Sequence, residues 1–309
     1  MVSVIVCLIL VTTLVPVPVF ASVEEIFNDS GSGLRFKVLT EDGASHTGTA
    51  AVVANGYSGT EYHIPSAVEY NGITYTVTEI GDSAFYYCTA LTKVTIEENS
   101  KLTSIGDSAF KGTALEEIMI PNGVTSIGDD AFNSCTALTK VTIGENSHLT
   151  IIGYAAFEFD SALKEITIPA EVTSIGDFAF DRCEKLAQIT FAENSKLETI
   201  GESAFQLSGL TGSINIPASV KIINDSTFLR CSNLTKVTFA ENSKIATIGK
   251  SAFSGSALEE ITIPVGVTSI GDFAFERCEK LSQVTFAENS KLETIGKSAF
   301  YNSALEEMT

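Results

Sequence analysis

Cysteine is the most reactive side chain in this sequence, and its spacing is regular: Cys88, Cys135, Cys183, Cys231 and Cys278 follow one another at 47 or 48 residues. Such a set suggests a disulfide framework or a metal site. The other candidates are thinner. The histidines are His46, His63 and His148, none of them set in a local motif with a nucleophile. Adjacent carboxylates occur at Glu116/Glu117, Glu259/Glu260 and Glu306/Glu307, whereas acid–base catalysis needs one tuned pair rather than copies. The sequence carries no phosphate loop, no metal-spaced His/Cys cluster and no nucleophile elbow. The expectation is a non-enzyme with no catalytic residues, no cofactor and no metal.

What must position these residues is a repeat. The segment from Ile175 to Gly201 returns from Ile270 to Gly296 with changes only at Asp181/Glu276, Ala187/Ser282 and Ile189/Val284. Related units begin at Ile80, Ile105, Ile127, Ile152, Ile175, Ile200, Ile223, Ile248, Ile270 and Ile295, with steps alternating between 25 residues and 22 or 23. Fixed-period similarity of this kind predicts a stack in which each unit buries its apolar face against its neighbours. Within a unit, Leu186–Phe191 alternates apolar and polar residues, the pattern of a strand with one buried face. Gly176 is expected at a backbone angle closed to other residues, with Asp177 capping a short helical or 3₁₀ turn. Ala179 and Phe180 are expected to fill the interior. Short repeats turn at Pro121, Pro169, Pro217 and Pro264, and long ones at Glu-Asn-Ser followed by Lys or His.

The stack decides the cysteine question. All five occupy one position, three residues after the repeat Phe, in every second unit. Strands in a sheet lie about 4.8 Å apart, so cysteines two rungs apart are separated by roughly 10 Å. A disulfide tolerates a Cα separation of only about 7 Å. Buried free thiols, serving as small core residues, are therefore expected.

Residues 1–21 form an apolar run without charge, with Val19 and Ala21 at the small positions of a signal-peptidase site. They read as an export signal lacking its usual basic start, or else as a retained anchor; the mature chain is expected to have no membrane span. Residues 22–79 do not repeat and read as a small β capping module, with strands over Leu34–Leu39, Ala50–Ala54, Glu61–Ile64 and Ile73–Val77. Residues 80–309 hold about ten repeats, the last incomplete, which suggests a reading frame cut short or an end covered by a partner. With 38 acidic against 19 basic residues and no basic cluster, binding to nucleic acid is excluded.

The outward strand positions make two columns. One is nearly all threonine: Thr95, Thr142, Thr167, Thr190, Thr238, Thr262 and Thr285, interrupted by Met119 and Asn215 and reaching Thr309. The other reads Lys93, Glu117, Lys140, Glu165, Gln188, Ser213, Lys236, Glu260, Gln283, Glu307. Opposite charges on adjacent strands are expected to pair across the sheet, and the same column offers contacts to a partner. The Glu-Asn-Ser-Lys turns form a flanking stripe, read as solvated loops with weak cation or glycan contact as the alternative.

The pattern L-x-x-[IV]-x-[IF]-P-x-x-[VL]-x-x-I-G-x-x-A-F-x-x-C, seen for example from Leu163 to Phe180, resembles the leucine-rich repeats of the BspA-like family. The resemblance covers residues 80 to 309 and implies a leucine-rich-repeat solenoid: α/β class, mostly β with short turns, curved and right-handed, with a parallel sheet on the concave face. It implies a secreted or cell-surface protein whose partners are extracellular-matrix or cell-surface proteins, bound by Lys93, Thr95, Glu117, Lys140, Thr142, Glu165, Thr167, Gln188, Thr190, Lys236, Thr238, Glu260, Thr262, Gln283 and Thr285. The alternative is a structural spacer that projects another activity.

Overall fold

The structure is a computed structural model that describes residues 22–54, 56–305 and 307–308. The expected export signal lies outside them. The chain winds into a mostly-β parallel solenoid. Each repeat contributes a strand from its alternating segment: Lys93–Ile96, Glu117–Ile120, Lys140–Ile143, Glu165–Ile168, Gln188–Phe191, Thr211–Ile216, Asn233–Phe239, Glu260–Ile263, Gln283–Phe286 and Glu307–Met308. They pair in parallel, as in Lys140↔Glu117 and Thr142↔Met119, in three successive sheets that break between Ile143 and Glu165 and between Phe191 and Thr211. The stack begins one turn earlier than the repeat phasing suggests. Glu61–Ile64 pairs with Lys93–Ile96, placing His63 beside Thr95.

A second parallel ladder runs up another side of the coil, built from two-residue strands such as Ser126–Ile127, Ile151–Ile152 and Ser174–Ile175. It continues into the N-terminal strands Ile26–Asn28, Arg35–Asp42, Thr47–Val52 and Ile73–Ile80, joined at one end by Ala67–Tyr70. This ladder was not evident in the sequence, because two residues are too few to show a period.

The third side corrects the expectation of helical or 3₁₀ turns: among the described residues there is no helix, only successive tight turns. Their geometry has a repeating cause. The third and seventh residues after each repeat Ile adopt positive φ, as at Ser108 (54°), Phe178 (59°), Arg182 (57°) and Gly255 (69°). This orients amides along the stack, so that Phe178 donates to Glu202 O at 2.9 Å, Phe180 to Ala204 O at 2.8 Å and Arg182 to Gln206 O at 2.9 Å. The turns therefore have a backbone ladder of their own.

Gly176, contrary to expectation, has no positive φ. It is small for another reason: a Cβ there would lie 2.6 Å from the carbonyl carbon and oxygen of Gly153 on the rung below. Asp177 likewise does not cap its own turn. Its Oδ1 accepts from the amide of Glu202 on the next rung at 2.7 Å, and Asp107, Asp129, Asp225 and Asp272 act in the same way.

The core is a filled column. Phe85, Phe110, Phe132, Phe157, Phe180, Phe205, Phe228, Phe253, Phe275 and Phe300 stack with centroids 5.1–5.5 Å apart and planes within 11° of parallel. Offset-stacked rings at such spacing gain energy beyond their buried area. Tyr57 closes the N-terminal end against Phe85 at 5.0 Å.

Candidate functional site

The strand stack decides which side chains reach solvent. Along each strand the second residue enters the core and the first and third point out, because side chains alternate across a sheet. Lys93, Thr95, Glu117, Lys140, Glu165, Thr167, Gln188, Thr190, Lys236, Glu260, Thr262 and Gln283 are exposed, while Thr142, Thr238 and Thr285 are half-buried. All fifteen sequence-predicted residues thus share one face. Met119, Ser213 and Asn215 of the two columns lie on it too; the structure adds Glu61 and His63, whose Nδ1 lies 3.0 Å from Thr95 Oγ1. The Tyr62-His63-Ile64-Pro65 run carried the signal for that extra rung.

Shallow depressions recur along this face. One of about 570 Å³ lies over Lys236, Thr238, Glu260, Thr262, Gln283 and Thr285. Others lie over Lys140, Thr142, Glu165, Thr167, Gln188 and Thr190 and over Lys93, Thr95, Glu117 and Thr142. A row of hollows along one face of the strand stack is what the concave side of a curved solenoid presents.

The expected charge ladder is mostly unmade. Lys236 and Glu260 form an ion pair at 2.6 Å, but among the described residues Lys93, Glu117, Lys140 and Glu165 form none. Exposed pairs of this kind offset little of the side-chain entropy they cost, so long heads on neighbouring strands stay apart.

The threonines divide by role. On the second ladder, Thr103, Thr125, Thr150 and Thr173 donate their hydroxyls to the carbonyl of the equivalent residue one rung down, at 2.9–3.2 Å. On the concave face, Thr142, Thr167, Thr190, Thr262 and Thr285 make no such bond among the described residues. Their hydroxyls remain available to a ligand.

The cysteines lie inside. All five are free and buried. Four thiols donate to a Phe carbonyl on the rung below, as from Cys183 to Phe157 O at 3.1 Å. Burial pushes Cys231 up to about 12 and Cys278 up to about 11, and raises Cys88, Cys135 and Cys183 as well. Thiols held protonated are poor nucleophiles and poor ligands. Among the described residues no group of three or more His, Cys, Asp or Glu is placed to hold a metal.

In the alternate rungs the cysteine position is taken by Thr113, Asp160, Ser208, Ser256 and Ser303. Asp160 departs from this small, uncharged set. It is fully buried, its Oδ1 accepts the Cys135 amide at 2.8 Å, and its Oδ2 has no hydrogen-bond partner. Burial raises its carboxyl well above the ordinary value of 3.8.

A parallel coil with a strand on its concave side, a stacked apolar column and tight turns behind is the leucine-rich-repeat architecture. A family model for the BspA type leucine rich repeat region matches in six copies, over residues 66–161, 150–258 and 198–309, and the chain belongs to that family. No curated protein matches it. Among solved structures it is similar to the pneumococcal vaccine antigen PcpA, with 24% identity, a TM-score of 0.58, and 94% of this chain and 71% of that one covered. It is also similar to a leucine-rich repeat protein from Bacteroides ovatus (22% identity, TM-score 0.42, 86% and 90% covered). A leucine rich cell surface protein from Faecalibacterium prausnitzii aligns at 25% identity and a TM-score of 0.39, with 92% and 94% covered.

Proposed function

We propose that this chain is a non-enzymatic, secreted or cell-surface binding protein that holds protein ligands, from extracellular matrix or from neighbouring cells, against its concave sheet. Residues 1–21 serve as the export signal, 22–79 cap the stack and add a first rung at Glu61–Ile64, and 80–309 supply the remaining binding rungs. The observation that carries this reading is the contrast between two sets of threonines: Thr103, Thr125, Thr150 and Thr173 spend their hydroxyls on the backbone, while Thr142, Thr167, Thr190, Thr262 and Thr285 of the concave face keep theirs free on the same face as unpaired Lys93, Glu117, Lys140 and Glu165. Family membership and the apolar N-terminal run support the location. Affinity is distributed, since each rung offers one or two polar heads and a protein ligand spans several of them.

The test is capture from a panel of purified matrix and cell-surface proteins by the mature chain, followed by affinity measurement with a Lys140→Ala/Glu165→Ala/Lys236→Ala variant. The variant is expected to keep its melting temperature and to bind at least about tenfold more weakly, a loss of roughly 1.4 kcal/mol. Unchanged affinity removes the concave face from consideration and leaves the spacer role.

A further inference from the structure

The repeats are not equivalent along the flank of the concave sheet. The hexapeptide Phe-Ala-Glu-Asn-Ser-Lys occurs three times, at 191–196, 239–244 and 286–291, on alternate rungs of the C-terminal half. The matching N-terminal turns begin instead with Ile96 and Ile143. The difference extends to the backbone. Asn194, Asn242 and Asn289 take positive φ of 56°, 59° and 61°, whereas Asn99 and Asn146 do not. Phe191, Phe239 and Phe286 are half-buried, each leaving part of its ring at the surface.

Two of the three hexapeptides border clefts that correspond residue for residue. The first, of about 490 Å³, is lined by Thr190, Phe191, Asn194, Ser195, Asn215 and Pro217. The second, of about 570 Å³, is lined by Thr238, Phe239, Asn242, Ser243, Thr262 and Pro264. Each therefore has an apolar wall of Phe and Pro and a ring of amides and hydroxyls. Thr190, Asn194, Asn242 and Thr262 make no side-chain hydrogen bond among the described residues, and Asn215 uses only its Oδ1, accepting from Thr238 at 3.0 Å.

Little net charge faces the clefts: the first is lined by Glu193 and no cation, its Lys196 being paired with Glu171 at 2.7 Å. Every hexapeptide carries one Glu and one Lys, and the Lys236–Glu260 pair at the second cleft is closed at 2.6 Å. Core rings of successive rungs here lie 5.3–5.5 Å apart, so equivalent clefts recur at about twice that step along the axis. A ligand matched to this row must be uncharged, must donate and accept hydrogen bonds from one group, must offer an apolar face, and must repeat its chemistry at a fixed step. Globular protein surfaces without repeats lack that regularity; a linear sugar polymer has it, with hydroxyls around the ring edge and C–H groups on the ring face.

We propose that the Phe-Ala-Glu-Asn-Ser-Lys clefts bind a neutral, linear polysaccharide, one segment of the polymer per cleft. At the two clefts the carboxamides of Asn194 and Asn242 bridge neighbouring hydroxyls and Phe191 and Phe239 pack under the sugar rings; Asn289 and Phe286 repeat the same groups one step further along the row. This site shares Thr190, Thr238 and Thr262 with the concave face but does not rest on protein binding there.

The experiment is affinity electrophoresis of the mature chain in gels containing neutral glucans, mannans, galactans or xylans, then calorimetry with oligosaccharides of graded length from the polymer that retards it. Retardation by at least one polymer is expected, with affinity rising about 10²-fold once an oligosaccharide is long enough to span two clefts. Two variants keep the test independent of folding. Asn194→Gly/Asn242→Gly/Asn289→Gly removes the amides while tolerating positive φ. Phe191→Ile/Phe239→Ile/Phe286→Ile installs the residue the N-terminal turns already use. Each is expected to abolish retardation, and Lys140→Ala/Glu165→Ala to leave it unchanged. Absence of retardation by every polymer, or full retardation of both triple variants, overturns the proposal.

Discussion

Asp160 shows what a single residue does to a stack. Nine of the ten repeats place a small neutral group or a thiol at this depth, and the tenth places a carboxyl with one oxygen unpartnered. A buried carboxylate without a counter-charge is costly, and the group holds its proton instead. Its folded pKa lies above its unfolded one, so folding takes up a proton. The stability this allows is fully present below the ordinary carboxylate value of 3.8 and is lost as pH rises above it. Asp160→Ser, which copies Ser208 and Ser256, is therefore expected to stabilise the chain at neutral pH. The gap in melting temperature between variant and parent should widen from pH 4 to pH 8; a gap independent of pH contradicts this. The cysteines were legible from sequence because their spacing fixed their separation. Asp160 stood in the same column, and aligning the alternate repeats at the residue eight after the Ile exposes it.

The elements were legible in proportion to their length. Four-residue strands such as Glu165–Ile168 announce themselves by alternation, whereas Ser174–Ile175 is too short to do so. The turns were misread because Gly-Asp before Ala-Phe looks like a helix start. In the structure the glycine answers a contact with the neighbouring rung and the aspartate a bond to it. Neither contact is local in sequence, so no local rule reports them. Gly176→Ala forces a Cβ to within 2.6 Å of Gly153 backbone, which cannot swing aside as a side chain would. Overpacking of this sort costs about 1–3 kcal/mol. Chemical denaturation is expected to show that loss; an unchanged midpoint means that the rungs separate freely. The positive-φ residues had no sequence signature, since Ser, Asp, Ala and Phe all occupy the position.

At the scale of the whole molecule each rung contacts only its neighbours, so stability is a sum of rung and interface contributions. Phe180 is fully buried between Phe157 and Phe205, and truncating it to Ala costs about 3–5 kcal/mol. Because the lesion falls in mid-stack, calorimetry of Phe180→Ala is expected to split unfolding into two transitions. A single transition at lower temperature indicates coupling beyond nearest neighbours. Chain-level architecture was the most legible feature of all, since repeat phasing alone specified a stack and its outward columns. The zoning of that surface was less so: the free and consumed threonines are indistinguishable until the carbonyls of the neighbouring rung are placed, since Thr211 and Thr235 on the concave strands donate to Ala187 O and Gly212 O.

Met119 offers the most direct test of the binding face. It interrupts the threonine column and is 67% exposed, while Tyr86 and Tyr87, at 50% and 54%, stand on the turn side. Hydroxyl-radical footprinting of residues 22–309, alone and with a protein retained in the capture panel, reads both sides at once. The prediction is strong protection of Met119 from oxidation with Tyr86 and Tyr87 unchanged. Protection of the tyrosines with Met119 still oxidised would place the ligand on the turns and contradict the account.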